Sequence, residues 1–535
     1  MQTTTREIIS EKSETAANPG ITHLLPAPAV LSLTGAGLLT CAVPGPDFGW
    51  LAWIAIVPLI IACEDAGVLA AAGLGFLFGM ASNVGIYRWL FEVNGFRTHH
   101  FLILSTYFSL YPLAWCAGIS FFKRHRLSLI FAAPAFWITL DCIRAHAGFM
   151  AFPWGTLAQT QHKNLAILQV ATIAGEYGIT FLVVLGNTVI AEIVRRFLST
   201  ASDFPPARWV LVAALLIALA HVWGAYEIYT ATTGPTIRVA AVQPSIPIGE
   251  RETPEGRTAV MRRLERLTRV AAGSHPALIV WPETAIAGSL RANPLFAAGF
   301  LELAREVKTP IISGVGEVEK FAMRDAQGKM LRRAYNSAYL LTPDEPLGDP
   351  YIKRVLLPFG EYVPLENLTG WPAWLAPPVF NTVVGDKPYF FTLRNGIVGS
   401  PLICWENLFS SLGRESVRGG ARLLVLLTND GWFGRSAEPY QHNLASVLRA
   451  VENRVPVVVS SNTGPSQIID PYGRIVSVAS GIFREDVIVG DITAVSAGTL
   501  YTKIGDLFTV IVVLSLGTAI VRGFLNERAA NEGNP

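Results

Sequence analysis

Charge is what this sequence has least of. Only 15% of its 535 residues are Asp, Glu, Lys or Arg, against 51% hydrophobic, and the formal net charge is +2. So little charge is too little for an ordinary water-soluble protein, and a near-neutral chain offers no polyanion-binding surface, so no nucleic-acid partner is expected. Cysteine is also scarce, the five being Cys41, Cys63, Cys116, Cys142 and Cys404. None forms a Cys-x-x-Cys pair and no His/Cys cluster has ligand spacing, so neither a metal nor a cofactor is expected. The first four lie in or beside apolar runs, where cysteine is usually a small buried hydrophobe. Cys404 is alone in the more polar part of the chain, which therefore cannot close an internal disulfide. Residues 1–22 lack the basic start and short apolar core of a cleavable signal. Low-complexity tracts and internal repeats are likewise missing.

Long apolar runs are what the chain has instead, and its mean hydropathy is +0.40. They fall at about 24–43, 47–63, 67–87, 101–122, 127–145, 165–194 and 208–228, with an eighth over 507–524. Their lengths are near or somewhat below the roughly 20 residues needed to cross a bilayer. The first two are short and separated by Pro44-Gly45-Pro46, a pattern compatible with a tight hairpin. The expected organisation is a cytoplasmic tail (1–23), a bundle of about seven spans (24–230), a globular domain (236–498), a last span (505–525) and a second tail (526–535).

Basic residues in short loops orient such a bundle. With the N-terminus inside, the cytoplasmic segments hold ten: Arg6, Lys12, Lys123, Arg124, Arg126, Arg195, Arg196, Arg208, Arg522 and Arg528. The opposite side holds four: Arg88, Arg97, Arg144 and Lys163. The globular domain is then expected outside.

Within 236–498 short runs of Val, Ile and Leu predict strands at 237–243, 277–281, 310–318, 336–341, 396–404, 422–428, 455–461, 466–470 and 487–492. Helical patterns alternate with them: Met261, Leu264, Leu267 and Val270 on one, Leu444, Val447, Leu448 and Val451 on another. The expected fold class is an α-helical transmembrane bundle plus an α/β soluble domain with helices covering a sheet.

Three polar clusters sit where buried strands end, which is where open α/β sheets place their sites. They are Trp281-Pro282-Glu283-Thr284; Lys353 with Pro358-Phe359-Gly360-Glu361; and Cys404-Trp405-Glu406-Asn407. Singly each has an ordinary explanation: a solvated strand end, a surface lysine, a core cysteine. Together they contain a nucleophile, a base and a cation. A positive neighbour or a helix start lowers a thiol's pKa, and a helix over about 407–418 would put Cys404 at a strand-to-helix elbow. Glu283 then suits the general base, and Lys353 the oxyanion-stabilising cation, of acyl transfer through a thioester.

These three stretches resemble the Glu–Lys–Cys signatures of the carbon–nitrogen hydrolase (nitrilase) superfamily. Over roughly residues 25–525 the chain is similar to the bacterial apolipoprotein N-acyltransferases. Val242-Gln243, Tyr335-Asn336-Ser337-Ala338, Thr428-Asn429-Asp430-Gly431-Trp432-Phe433-Gly434, Gln441-His442, Arg449-Ala450-x-Glu452 and Asn462-Thr463-Gly464 also match, as do Phe152-Pro153-Trp154 and Glu176-Tyr177-Gly178. The resemblance implies a nitrilase-like αββα layered sandwich on the periplasmic side of the bacterial inner membrane. It implies a phospholipid acyl donor and, as acceptor, the α-amino group of a diacylglyceryl-cysteine that begins an apolipoprotein. Glu283, Lys353 and Cys404 would be the triad; Glu361 would be a second essential carboxylate orienting Lys353; Trp405 and Glu406 would support the nucleophile. Trp405 stands where the family more commonly has Tyr. Val459 replaces a usual basic residue, and Glu252 lies where a Trp is usual.

The segment 365–380, rich in Pro with Trp371 and Trp374, reads either as a stiff loop or as an arm placing aromatics in the bilayer interface. His442 reads as structural, and Asp141 and Arg144 as an i, i+3 pair. Two other functions fit parts of the chain: a membrane-tethered amidase acting on a small amide, and a transporter or receptor with an inactive domain.

Overall fold

The computed structural model describes residues 26–198, 207–231, 234–324, 330–372, 374, 382–493 and 498–532. The first part is helical: α1 (Pro28–Ala42), α2 (Val68–Ile86), α3 (Thr98–Arg124), α4 (Leu129–Ala145), α5 (Ala171–Leu198) and α6 (Ala207–Tyr229). Among the described residues five helices are long and apolar enough to cross a membrane: α2, α3, α5, α6 and the C-terminal helix Leu507–Glu532 over its apolar stretch. The first two predicted runs become shorter pieces: the 15-residue α1, then a 3-10 turn Gly49–Trp53 and a short helix Val57–Ala62. The run at 165–194 also divides, into Leu165–Leu168 and α5.

Exposure shows what solvent this bundle meets. α6 buries only Ala213 and Gly224, while Leu211, Leu215, Leu219 and Val222 are exposed around it. An isolated apolar helix of that kind is compatible with hydrocarbon and not with water. α5 by contrast is mostly buried and forms the centre of the bundle. The chain is a multi-pass membrane protein.

The globular domain contains α7 (Pro254–Ala272), α8 (Pro294–Val307), α9 (Ser410–Arg418) and α10 (Glu438–Asn453), and α11 (Leu507–Glu532) returns to the bundle. The strands are β1 (Thr236–Gln243), β2 (Leu278–Val280), β3 (Ile286–Ala287), β4 (Ile311–Arg324), β5 (Met330–Leu341), β6 (Tyr351–Ile352), β7 (Phe391–Thr392), β8 (Val398–Ile403), β9 (Leu423–Thr428), β10 (Val457–Ser461), β11 (Gln467–Ile469), β12 (Ile475–Val478) and β13 (Asp486–Thr493). They form two sheets, ordered β13-β1-β2-β4-β5-β6, with β3 on β4, and β12-β11-β10-β9-β8-β7.

Alternation along each strand builds the layers, since successive side chains point to opposite faces. Val239, Ala241, Leu278 and Val280 meet Ile403, Val425, Leu427 and Val458 between the sheets. Ala240, Val242 and Ile279 turn outward under Leu264 and Leu267 of α7 and Phe300 and Leu303 of α8. On the far side Leu402, Leu424, Leu426 and Val459 pack on Leu448 and Val451 of α10, in one core with Leu168 and Ala171 of the bundle. The result is the expected αββα sandwich, set directly on the membrane helices.

Three local readings change. Val270 is 59% exposed, because α7 turns Val260, Leu264, Leu267, Thr268 and Ala271 inward instead. α10 is buried all round except at Tyr440, since it lies between a sheet and the bundle. Val459 is fully buried in β10, where an aliphatic side chain contributes about 1.5–3 kcal/mol and a charge would need a partner. Asp141 and Arg144 do pair, at 3.1 Å.

Candidate active site

The seven-stranded sheet assembles the acid end of the site. β2 runs parallel to β4 through Ile279–Ile311 and Val280–Ile312, so Trp281-Pro282-Glu283 leaves the sheet beside Gly314. A Cβ at Gly314 would lie 2.5 Å from the Glu283 Cα, and only glycine permits that approach. β4 pairs antiparallel with β5, and β5 with the two-residue β6, which delivers Lys353. The Lys353 backbone N–H donates to the Asn336 carbonyl at 2.9 Å. Asn336 Nδ2 in turn donates to Glu283 Oε1 at 2.7 Å and to Glu361 Oε1 at 3.1 Å. The Lys353 ammonium, 1% exposed, lies 3.0 Å from Glu361 Oε1 and 3.7 Å from Glu283 Oε1.

The six-stranded sheet supplies the thiol. β8 ends at Ile403, and Cys404 turns the chain into the 3-10 segment Cys404–Leu408 with φ of +54°. A non-glycine residue in the left-handed region is strained by about 1–2 kcal/mol. Thr284 (φ +52°) and Phe359 (φ +60°) are in the same state, so all three site segments hold a residue in the left-handed region. α9 begins only at Ser410, so the expected helix start does not lie immediately behind the sulfur.

Glu406 and Trp405 lock the two halves together. The buried Glu406 carboxylate accepts from the N–H groups of Arg354 (2.6 Å), Val355 (3.0 Å) and Ile403 (2.7 Å), and from Tyr351 Oη (2.8 Å). Trp405 Nε1 donates to the Val355 carbonyl at 2.8 Å. The residues flanking Lys353 are thus tied to those flanking Cys404.

Burial dominates the electrostatics. It raises the pKa of Glu283, with Lys353 pulling down and Glu361 pushing up again. On Lys353 burial disfavours the charge, but Glu361, then Cys404 and Glu283, outweigh it and hold the amine protonated. The Cys404 thiol is pushed well up by burial and then by Glu283, with Lys353 opposing. The sequence leads one to expect a lowered thiol. Instead burial favours the protonated thiol, and Glu283, whose own pKa is raised, is the carboxylate that acts on it most strongly.

Sequence reasoning left several contributors without a role. Asn336 stood in a matching motif, yet only pairing β5 with β4 and β6 sets it between two carboxylates. Arg449 is another: Nη1 donates to the Asn407 (3.2 Å) and Leu408 (3.1 Å) carbonyls, and Nη2 to Glu176 Oε2 (3.1 Å) and Glu452 Oε1 (2.8 Å). It therefore links the Cys404 turn to α5. There Gly175 breaks the helix with φ of +62°, and a Cβ would come 2.5 Å from the Tyr501 ring.

His442 is buried, with Nδ1 2.9 Å from Asp430 Oδ1 and its ring stacked on Trp154 at 5.5 Å. Among the described residues Asp430, Glu438 and His442 bring ligand atoms within 4.8 Å of one another. Asp430 already binds Thr428, Ser461 and His442, which argues for a hydrogen-bonded cluster rather than an ion site. Trp371 donates to the Pro364 carbonyl and packs on Phe359 at 5.7 Å. Trp374 is 55% exposed over the start of α3, where its carbonyl meets His100 Nε2 at 2.6 Å. Residues 373 and 375–380 of the predicted arm lie outside those described.

Comparison with known proteins divides the chain in the same way. The profile of the apolipoprotein N-acyltransferase N-terminal domain matches residues 35–189, and that of carbon-nitrogen hydrolase matches 238–501. An apolipoprotein N-acyltransferase of Geobacter metallireducens is 34% identical over 480 residues, 88% of this chain and 90% of that one. One of Gloeobacter violaceus is 30% identical over 502 residues, 90% and 91% of the two chains. The crystal structure of a nitrilase-superfamily protein of Saccharomyces cerevisiae superposes with a TM-score of 0.36 at 20% identity, covering 49% of this chain and 91% of that one.

Proposed function

The chain belongs to the apolipoprotein N-acyltransferase family, and from that premise we propose that it moves a fatty acyl chain from a phospholipid to a diacylated apolipoprotein by way of Cys404. The observation that carries this reading is the buried Lys353 ammonium, held between Glu283 and Glu361 beside a strained cysteine. The sandwich that holds them rests on apolar helices, which favours substrates that reside in the membrane.

In the first half-reaction Glu283 takes the thiol proton as Cys404 Sγ attacks the ester carbonyl of the donor. Lys353 stabilises the oxyanion. Collapse breaks the C–O bond, and Glu283 returns its proton to the departing lysophospholipid alkoxide. In the second half the α-amino group of the diacylglyceryl-cysteine attacks the thioester carbonyl. Its proton goes to Glu283, the C–S bond breaks, the thiolate recovers a proton, and the amide leaves. Two substrates sharing one nucleophile in turn give ping-pong kinetics. The ten-to-four distribution of basic residues supports an orientation with the domain on the periplasmic side of the inner membrane.

The test is intact-mass analysis of the enzyme incubated with phospholipid alone, followed by a diacylated lipopeptide. One acyl mass on Cys404 that is then transferred to the peptide amine is expected. Hydrolysis without transfer would support an amidase acting with water, and the absence of any adduct would rule out the covalent route.

A further inference from the structure

A cavity of about 760 Å³ lies between the bundle and the domain, and Glu283, Lys353 and Cys404 do not line it. α10 separates it from the nucleophile. His442, Ser446 and Arg449, at i, i+4 and i+7, form the face whose carbonyl, hydroxyl and guanidinium hold the Cys404 turn through Asn407 and Leu408. Tyr440, Leu444 and Val447 line the cavity. They keep the same spacing but start two residues earlier, about 200° round the helix.

The charges in this cavity are unusual for their position. Arg88 and Lys163 are two of the four basic residues in the short loops on this side of the bundle, and both line it, as does Arg435. Lys163 is paired with Asp47. Arg88 has no hydrogen bond or ion pair among the described residues, and Arg435 reaches only the Ile482 carbonyl, at 3.4 Å, and the Phe483 ring. Glu92 is the other acidic lining residue. The half-buried His162 shares Asp47 at 3.5 Å, and its Nδ1 has no partner among the described residues. Next to these charges Ile475 and Val478 of the edge strand β12 line the same cavity at 47% and 53% exposure. Guanidinium groups without a carboxylate partner among the described residues, beside exposed aliphatic side chains at the end of a membrane bundle, match an amphiphile bearing a phosphate.

We propose that this cavity is a second, non-catalytic lipid site that takes the phosphate of a membrane phospholipid on Arg88 and Arg435, with acyl chain against Ile475 and Val478. It stands independently of the acyl-transfer reading. The test uses the full-length, delipidated protein carrying Cys404→Ala, so that no acyl-enzyme forms. It is titrated with phosphatidylglycerol or with diacylglycerol of the same chains, and bound lipid is counted by native mass spectrometry. Reversing both guanidiniums (Arg88→Glu with Arg435→Glu) should weaken phosphatidylglycerol binding by about tenfold or more and leave diacylglycerol unchanged. Arg88→Lys with Arg435→Lys should retain most of the binding. An unchanged preference for phosphatidylglycerol in the reversed variant overturns the proposal, as does complete displacement of the lipid by millimolar inorganic phosphate. Should the reversed pair not fold, Arg88→Gln with Arg435→Gln is read by the same comparison.

Discussion

Two buried clusters in this molecule are built from the same parts, one cation and two carboxylates, and they do different things. Lys353 sits with Glu283 and Glu361. Arg449 sits with Glu176 and Glu452. The guanidinium shares its N–H groups among two carboxylates and two carbonyls and holds three chain segments at once: α5, its own helix, and the Asn407-Leu408 turn behind Cys404. The ammonium is a compact point charge that satisfies Glu361 closely and leaves Glu283 at 3.7 Å with a raised pKa. One cluster spreads its contacts over four groups and joins the domain to the membrane bundle. The other leaves one of its carboxylates beyond hydrogen-bond reach of the cation. Arg and Lys are not interchangeable for this reason.

The largest expected effect breaks the reactive cluster. Cys404→Ala should abolish acyl-enzyme formation and Glu283→Gln should slow it by ~10⁴-fold or more, read by intact mass against time. Lys353→Met should cost about 10²–10³-fold. Retention of ordinary rates by Glu283→Gln would assign the base elsewhere.

Arg449 tests the other half of the comparison. Arg449→Ala leaves two buried carboxylates without their cation and should destabilise the fold by about 3–5 kcal/mol in thermal or denaturant unfolding. Arg449→Lys keeps the charge but gives up the shared contacts to the Cys404 turn. It should recover much of the stability while kcat stays about ten- to 100-fold low and KM for a soluble ester is unchanged. Full activity in a stable Arg449→Lys protein would show that the link to α5 does not position the nucleophile.

A pH profile sharpens the contrast. Glu283 must be ionised to accept a proton, and burial raises its pKa, so the acid limb of kcat/KM should lie above the ordinary carboxylate range and activity should fall as pH drops through it. Glu361 contributes to that rise. Glu361→Gln should therefore move the limb to lower pH while slowing turnover, whereas an unmoved limb would mean the limb belongs to another group.

The smallest effect concerns the aromatic segment. Trp371→Ser with Trp374→Ser should lower turnover of membrane-borne donors several-fold, by about 3–10-fold, and leave soluble short-chain esters nearly unaffected. Equal losses on both substrates would place these rings in the fold rather than at the membrane.

Much of the fold was readable in order along the chain. Nine predicted strands fall on observed ones, because both faces of each sheet are covered and continuous Val, Ile and Leu runs result. The strands that escaped notice are short or exposed: β3, β6 and β7 have two residues each, and β12 is largely exposed. β6 matters most, since its two residues carry Lys353 to Asn336. Glu283 and Cys404 were visible as polar groups ending apolar runs, and Lys353 as a cation before a Pro/Gly-rich loop. Asn336 and Arg449 were visible only as parts of motifs, because a polar side chain in a strand or helix does not reveal which partner it will meet on a distant segment of the chain.

By itself the sequence determined the division into apolar helices and a layered domain, and the kinds of reactive group on hand. Burial preference and side-chain period are local properties, and local residues are enough to express them. The tertiary structure alone decided that Cys404 takes a strained turn with its thiol proton held by burial, and that Arg449 binds that turn to the membrane bundle. It also decided that α10 holds the Cys404 turn on one side and lines a cavity of about 760 Å³ on the other. These depend on desolvation and on distances of a few ångströms between distant segments, which arise only when the two sheets and the bundle pack together.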